Sequence, residues 1–219
     1  MSGRGTTRWW WIRHAPVPNP EGRVYGQRDV VADVSDLEAL TLVARRLPAE
    51  AVWVTSWLRR TRDTAAAIRS RREALAQAPE PIVERDLAEQ NFGDWHGRTY
   101  VELGAFGLGR DGRSGHRYWL CAADQVPPGG ESFTMLCERV GAAIDRLSEI
   151  HAGRDLVVVA HGGTIRAALV RALDLAPEAA LGISIDTLSV TRVDRIDTPL
   201  AGHAWRVGPV NLPARETLA

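Results

Sequence analysis

Two histidines stand in matching contexts, each just after an apolar run typical of a buried strand. His14 follows Trp9–Ile12 and Arg13, and His161 follows Leu156–Ala160. Open α/β sheets place their ligand chemistry at the carboxyl ends of buried strands. Arginine offers a planar fork of donors that stays charged at physiological pH, which suits phosphate oxygens. Neutral histidine is a nucleophile that can split one difficult displacement into two easier ones. The pattern therefore predicts a site for an anionic phosphoryl group.

Other segments supply what such chemistry needs. Ser56–Arg60 follows a second predicted strand and opens a helix, so it should emerge at the same sheet edge. Gly162 and Gly163 permit close approach to a helix N-terminus, where backbone N–H groups favour an anion. A second, protonated histidine could share in stabilising the phosphoryl charge. A carboxylic acid must protonate the leaving alkoxide, and Glu89 is a candidate for this role.

The elements that must position these residues are strands alternating with helices. This order predicts an α/β fold, a three-layer α/β/α sandwich whose mostly parallel sheet has an antiparallel edge strand. We expect one domain over residues 1–219, with an irregular insertion at about 98–127. Ser35–Glu38 matches a capping box. The periodicities predict strands at 7–12, 51–55, 82–85, 155–160, 187–193 and 203–207, and helices at 37–47, 61–75, 133–150 and after residue 164.

Composition excludes several classes of protein. The chain has 219 residues, 45% of them hydrophobic, and its 27 basic residues balance its 27 acidic ones. That balance gives no argument for a nucleic-acid or membrane partner. The two cysteines form no CxxC pair, which argues against a disulfide scaffold and a thiolate metal site. No signal peptide or membrane span is visible, so we expect a cytoplasmic protein.

Five motifs, in chain order, resemble those of the histidine phosphatase (phosphoglycerate mutase-like) superfamily, and together they span nearly the whole chain. Arg13-His14-Ala15 resembles the family's Arg-His-Gly signature, and the Ser56 segment resembles its Ser-x-Leu-x-Arg-x-x-x-Thr-Ala block, which assigns the phosphate-binding arginine to Arg60. The other three motifs are Leu87–Gly97, Pro128–Ser132 and Val159–Gly163.

The resemblance implies roles for individual residues. His14 would form a phosphohistidine, clamped by Arg13, Arg60 and His161, and Glu89 would be the proton donor. It also implies that Asn19 and Gly162 contact substrate, although Asn19 lies one position from where many relatives place a phosphate-contacting asparagine. No metal or organic cofactor is implied.

The function implied is a metal-independent phosphomonoesterase that acts on a small phosphorylated metabolite. Tyr25–Asp29 also resembles a stretch of the α-ribazole phosphatase branch. Two alternatives stay open: a cofactor-dependent phosphoglycerate mutase, and a catalytically silent domain that binds a phosphorylated ligand. A homodimer is expected because that state is common among soluble enzymes.

Besides the shifted Asn19, the chain departs from the family pattern at Ala15, Pro16 and His96. Ala15 replaces the usual glycine, which would strain the backbone if that position needs a positive φ. Pro16 replaces a frequent glutamate, and His96 replaces the acidic residue usual after Trp95.

Overall fold

One six-stranded sheet organises the computed structural model, which describes residues 5–19, 21–105, 119–197 and 204–215. Its spatial order is β3-β2-β4-β1-β5-β6, in which the first four strands are parallel. β5 runs antiparallel to β1, and β6 runs antiparallel to β5. The strands are β1 (Thr6–Arg13), β2 (Val52–Thr55), β3 (Ile82–Val83), β4 (Asp155–Ala160), β5 (Val190–Ile196) and β6 (Trp205–Val207).

Helices cover both faces of the sheet, which confirms the predicted three-layer fold. Residues of α5 and α6 pack with Trp9 and Trp11 on one face. Residues of α1 and α2 pack with Ile12 and Trp53 on the other. The helices are α1 (Leu37–Arg46), α2 (Arg59–Arg69), α3 (Glu73–Ala76), α4 (Tyr100–Ala105), α5 (Phe133–Ile150), α6 (Gly162–Leu173) and α7 (Pro177–Ala180).

The tryptophan run fixes β1 in the middle of the molecule. Trp9 and Trp11 stack with their ring centroids 5.3 Å apart, and the Trp9 indole N–H donates to Ser148 Oγ on α5. Trp10 packs on the opposite face and donates to Asp155 Oδ1. A strand covered on both faces needs apolar side chains in both directions, and large aromatic rings bury much area there. This packing sets where the residues after β1 emerge.

Several boundaries differ from the predictions. The cap of α1 is Asp36, whose side chain accepts from Ala39 N, so the capping residue is not Ser35. The helix predicted over 61–75 begins at Arg59, ends at Arg69 and is followed by the separate α3. β5 begins at Val190 because Leu188 adopts a φ of +58°, which interrupts extended backbone.

The segment predicted to be irregular, 98–127, contains the short helix α4. Residues 106–118 and His203 lie outside the described residues. Within the described ranges, no helix combines the length and the apolar character needed to cross a membrane.

Candidate active site

Two strand ends bring the predicted histidines together. Arg13 is the last residue of β1, and His14 follows it. His161 follows β4, the parallel neighbour of β1, and stands at the N-cap of α6. The two imidazole centroids are 5.3 Å apart, and the ring planes are inclined at 62°.

His14 is held as a neutral imidazole. Its side chain is 1% exposed, and its Nδ1 lies 2.7 Å from the carbonyl oxygen of Ala15. A carbonyl can only accept, so Nδ1 carries the proton and Nε2 keeps its lone pair. Burial, followed by the charges of Arg60 and Arg13, lowers the pKa of His14 to about 3. Ala15 does not adopt a positive φ, so the replacement of glycine there is accommodated.

His161 is also neutral in the ligand-free protein, since burial and then the charge of Arg60 lower its pKa well below the usual value. Its Nε2 lies 2.8 Å from Ser56 Oγ, and its buried Nδ1 has no hydrogen-bond partner. A protonated second histidine that stabilises the phosphoryl group stays a prediction for the complex with substrate. A bound dianion would oppose the arginine charges and favour proton uptake.

Two arginines bring positive charge to the histidines. Arg60, fully buried at the start of α2, donates from Nη1 to Arg28 O (2.9 Å) and from Nη2 to Gly26 O (2.6 Å). Arg13 donates from Nη1 to Ile185 O at 2.6 Å. Carbonyl oxygens thus orient both guanidinium groups without neutralising them.

Around His14, three buried nitrogen atoms of the described residues lack a partner: Arg13 Nε, Arg60 Nε and His161 Nδ1. An unsatisfied buried donor costs roughly 1–3 kcal/mol, so such groups need an explanation. The local charge is also positive, since the pKa of His14 and that of His161 are both lowered by Arg13 and Arg60. The cluster is arranged to receive an anion with several oxygen atoms.

Glu89 supplies the carboxylate of the cluster. Its side chain is nearly buried; Oε1 accepts from Gln90 N (3.0 Å), and Oε2 accepts from Gly163 N (3.3 Å) in the first turn of α6. A Cβ on Gly163 would lie 2.3 Å from Oε1. Residue 163 must therefore lack a side chain for the carboxylate to sit at the helix N-terminus.

Gly162 lies between two guanidinium groups. A Cβ there would be 3.3 Å from Arg166 Nη1 and 3.7 Å from Arg13 Nε. The sequence reasoning missed Arg166, which donates to Ile183 O (2.8 Å) and lies 4.9 Å from the centre of the Trp119 ring. The sequence did indicate that Arg166 could lie near the site, because residue 166 is four positions after Gly162 and so shares its helix face.

The Pro-Gly-Gly-Glu-Ser stretch holds the loop that follows the carboxylate. Glu131 Oε1 accepts from Asn91 N (2.9 Å), and Glu131 O accepts from the side chain of Gln90 (2.9 Å). Arg139 pairs with the Glu131 carboxylate at 2.6 Å. The loop therefore donates hydrogen bonds to both the main chain and the side chain of Glu131, in the segment that precedes α5.

A cavity of about 470 Å³ adjoins the cluster, and Arg13 and Glu89 form part of its wall. Asn19 also lines it, but both polar atoms of its amide bond the backbone of Arg23, at 2.9 and 3.0 Å. Four aromatic side chains complete much of the wall: Tyr25, Phe92, Tyr100 and Trp119. Among the described residues, no group of three or more His, Cys, Asp or Glu side chains is arranged to hold a metal ion.

Comparison with known proteins adds an independent finding. The family model of the histidine phosphatase superfamily, branch 1, matches residues 7–207. Over 200 residues the chain is 34% identical to a bifunctional protein of Mycobacterium tuberculosis, an alignment that covers 86% of this chain and 50% of that protein. The chain thus spans about half the length of the first curated relatives it matches.

Two further similarities carry names of phosphatases. The chain is 31% identical over 166 residues to a metal-independent phosphoserine phosphatase of Arabidopsis thaliana, covering 73% of this chain and 66% of that one. It superimposes on the structure of a mycobacterial glucosyl-3-phosphoglycerate phosphatase with a TM-score of 0.75 and 26% identity, covering 94% of this chain and 99% of that one.

Proposed function

We propose that this chain, which belongs to the histidine phosphatase superfamily, is a metal-independent phosphomonoesterase that works through a covalent phosphohistidine on His14. The observation that carries the proposal is the set of three unpaired buried nitrogen atoms around a neutral imidazole. A phosphoryl group offers three equatorial oxygens to the two guanidinium N–H groups and to His161 Nδ1 once that ring takes up a proton, and the Nε2 lone pair of His14 is free to attack.

In the first step, His14 Nε2 attacks phosphorus; the P–N bond forms as the ester P–O bond breaks. Arg13 and Arg60 stabilise the charge on the equatorial oxygens. Glu89, as a carboxylic acid, transfers its proton to the leaving oxygen. In the second step, the Glu89 carboxylate takes a proton from water, which attacks phosphorus; the P–N bond breaks and inorganic phosphate leaves.

The charge of the cluster supports a dianionic ligand. With both histidines neutral, the positive charge of the cluster comes from the guanidinium groups of Arg13, Arg60 and Arg166. This positive charge suits a phosphomonoester dianion. Neutral His14 adds a nucleophile to the cluster without adding further charge.

The substrate we propose is a small phosphorylated metabolite. Its leaving group would occupy the adjoining cavity, whose aromatic rings suit the apolar faces of a sugar or base. Relatives are named for phosphoserine and glucosyl-3-phosphoglycerate. Sugar phosphates, nucleoside monophosphates and α-ribazole phosphate are the classes to screen. Substrate contacts by Asn19 and Gly162, a homodimer, a cytoplasmic location and the absence of a nucleic-acid partner stay predictions.

The test is release of inorganic phosphate from p-nitrophenyl phosphate in EDTA. We expect turnover by the wild type and its loss in His14→Ala, with His151→Ala as a matched control on a histidine outside the site. Turnover that survives His14→Ala would place the nucleophile elsewhere. Wild-type turnover abolished by EDTA would contradict metal independence. Transfer of the phosphoryl group onto 3-phosphoglycerate without hydrolysis would favour the mutase, and binding without either reaction would favour the silent domain.

The proposed role of Arg60 in binding the phosphoryl group can be tested against its neighbour Arg59. Arg59 is exposed and pairs with Asp63 at 2.9 Å, whereas Arg60 is fully buried. We expect Arg60→Ala to lower kcat/KM by about 10²–10³-fold, the range for losing a donor to a developing anion. Arg59→Ala should leave kcat/KM unchanged. Equal effects of the two substitutions would contradict the assignment of the clamp to Arg60.

The acid role of Glu89 is tested by changing the leaving group. Glu89→Gln should lower kcat/KM, which reports formation of the phosphoenzyme, by roughly 10²–10⁴-fold for an alkyl phosphate, because an alkoxide needs a proton to leave. The loss should be smaller for p-nitrophenyl phosphate, whose phenolate leaves unprotonated. The same loss for both substrates would show that Glu89 does not donate the proton.

A further inference from the structure

His96 occupies the position where the family pattern has an acidic residue, and its imidazole lies between two loops of the candidate site. We propose that His96 is a positioning residue that, as a neutral acceptor, ties the turn holding Arg60 to the loop carrying Glu89. This inference rests on the proposed function, in which Arg60 binds the phosphoryl group and Glu89 is the acid.

One atom of His96 bonds both loops. Its Nε2 lies 3.2 Å from Gln27 N and 3.2 Å from Phe92 N. Both partners are N–H donors, so Nε2 must be an unprotonated acceptor and the ring proton must sit on Nδ1. The imidazole thus joins segments that are more than sixty positions apart in the chain.

The turn that His96 fixes has two functional contacts. On either side of Gln27, the carbonyl oxygens of Gly26 and Arg28 accept from the Arg60 guanidinium, at 2.6 and 2.9 Å. The side chain of Gln27 donates to the main-chain carbonyl of Glu89 at 2.9 Å. A shift of this turn would therefore move the carbonyls that aim Arg60 and the backbone that carries the acid.

The turn around Gln27 is closely packed against the His96 ring and the Glu89 loop. Gly26 has a φ of +38°, and a Cβ there would lie 2.4 Å from His96 Nε2 and 2.8 Å from Gln90 O. The Phe92 ring meets the imidazole edge-on, with centroids 6.2 Å apart and planes at 84°. The two loops are in direct contact around the His96 ring.

The charges around His96 favour the neutral form. Burial is the first cause that lowers its pKa, followed by the guanidinium groups of Arg28 on the turn and Arg60 on α2. On the other loop, the Glu89 carboxylate is engaged by backbone N–H groups of Gln90 and α6. A protonated imidazole would point a donor at two N–H donors and lose both bonds.

The test compares His96→Ala with His96→Gln, whose side-chain carbonyl can accept the same two N–H groups without titrating. His151→Ala is the control, because His151 is another partly buried histidine, at the end of α5. For each variant, the measurements are kcat and KM with p-nitrophenyl phosphate, the Kd of inorganic phosphate by calorimetry, the melting temperature and the pH profile of kcat/KM.

For His96→Ala we expect a phosphate Kd raised about tenfold and a kcat lowered about tenfold, since two partly buried N–H groups lose their acceptor. His96→Gln should restore both parameters to within about threefold of wild type, on the same scale of one hydrogen bond. Its kcat/KM should also persist to lower pH than that of the wild type, because glutamine does not titrate.

Unchanged Kd and kcat in His96→Ala would overturn the inference. A folded His96→Gln that behaves like His96→Ala would also overturn it. If His96→Ala does not fold, the pH profile of His96→Gln decides: an acid limb identical to that of wild type contradicts the proposal. Failure of the underlying function is distinguishable, because Arg60→Ala would then leave the phosphate Kd unchanged.

Discussion

Burying His14 as a neutral imidazole makes folding stability depend on pH. Its pKa is lowered from 6.5 to about 3 in the folded protein. Between those values the unfolded chain binds a proton that the folded chain excludes. Stability rises with pH wherever the unfolded state binds more protons, so the free energy of unfolding must fall as the pH drops through 6.5 towards 3.

The size of the effect follows from the two pKa values. One unit of pKa corresponds to about 1.36 kcal/mol. At pH 7 the unfolded imidazole is mostly neutral and the contribution is small. At pH 5 it is almost fully protonated, which costs the folded state about 2 kcal/mol more than at pH 7. His161, whose pKa is also lowered by burial, acts in the same direction.

The assay is urea unfolding of wild type and His14→Asn at pH 7 and pH 5, in buffers free of phosphate. Asparagine keeps an N–H donor for the Ala15 carbonyl but does not titrate. Wild type should lose about 2 kcal/mol more than the variant between the two pH values. Adding inorganic phosphate at pH 7 should raise the free energy of unfolding of the wild type, since a ligand that binds only the folded state stabilises it.

Equal losses in wild type and His14→Asn would refute the reasoning, because folded His14 would then take up the proton. Burial would then not keep the His14 imidazole neutral in the folded protein, and its hydrogen bond to the Ala15 carbonyl would not define its protonation state. A parallel comparison of wild type with His151→Asn gives the reference for a more exposed histidine, whose contribution should be smaller.

Two further predictions concern residues that shape the site. Gly163→Ala should lower kcat about 100-fold, since the added Cβ would displace the Glu89 carboxylate. Gly141→Ala is the control, because a Cβ there would lie 3.5 Å from its nearest neighbour, Arg171 Cδ. This control should keep its activity in the same assay and its melting temperature in a thermal scan. Ser56→Ala removes the hydroxyl that lies beside His161 Nε2. It should lower the free energy of unfolding in urea by about 1–3 kcal/mol and lower kcat/KM about tenfold. A free energy of unfolding equal to that of wild type would show that this hydrogen bond does not contribute to stability.

The sequence predicted the parts of the site that depend on strands. Buried runs before His14 and His161 could be recognised from hydrophobicity, and parallel strands bring their carboxyl ends to one edge. The element order placed the Ser56–Arg60 segment at the same edge, but the choice of Arg60 within it came from the resemblance to the family's Ser-x-Leu-x-Arg-x-x-x-Thr-Ala block. The inferences about the strand ends needed only the element order and the side-chain types.

The hydrogen bonds made by backbone groups could not be predicted in this way. The carbonyls of Gly26 and Arg28 orient Arg60, but every residue has a carbonyl, and only the turn conformation aims these two. The two bonds to His96 likewise depend on how two distant loops pack. Residue type showed only that position 96 departs from the pattern. The geometry shows that the imidazole Nε2 at this position accepts from two backbone N–H groups.

Ligand binding should affect the two histidines differently. A phosphoryl dianion opposes the arginine charges that help to hold both pKa values low, so it favours protonation of either ring. In the proposed mechanism, attack at phosphorus occupies His14 Nε2, and its Nδ1 already donates to a carbonyl. Of these two rings, that of His161 has a buried nitrogen, Nδ1, without a partner. Proton uptake on binding therefore belongs to His161, which can then donate to the phosphoryl oxygen while the nucleophile stays neutral.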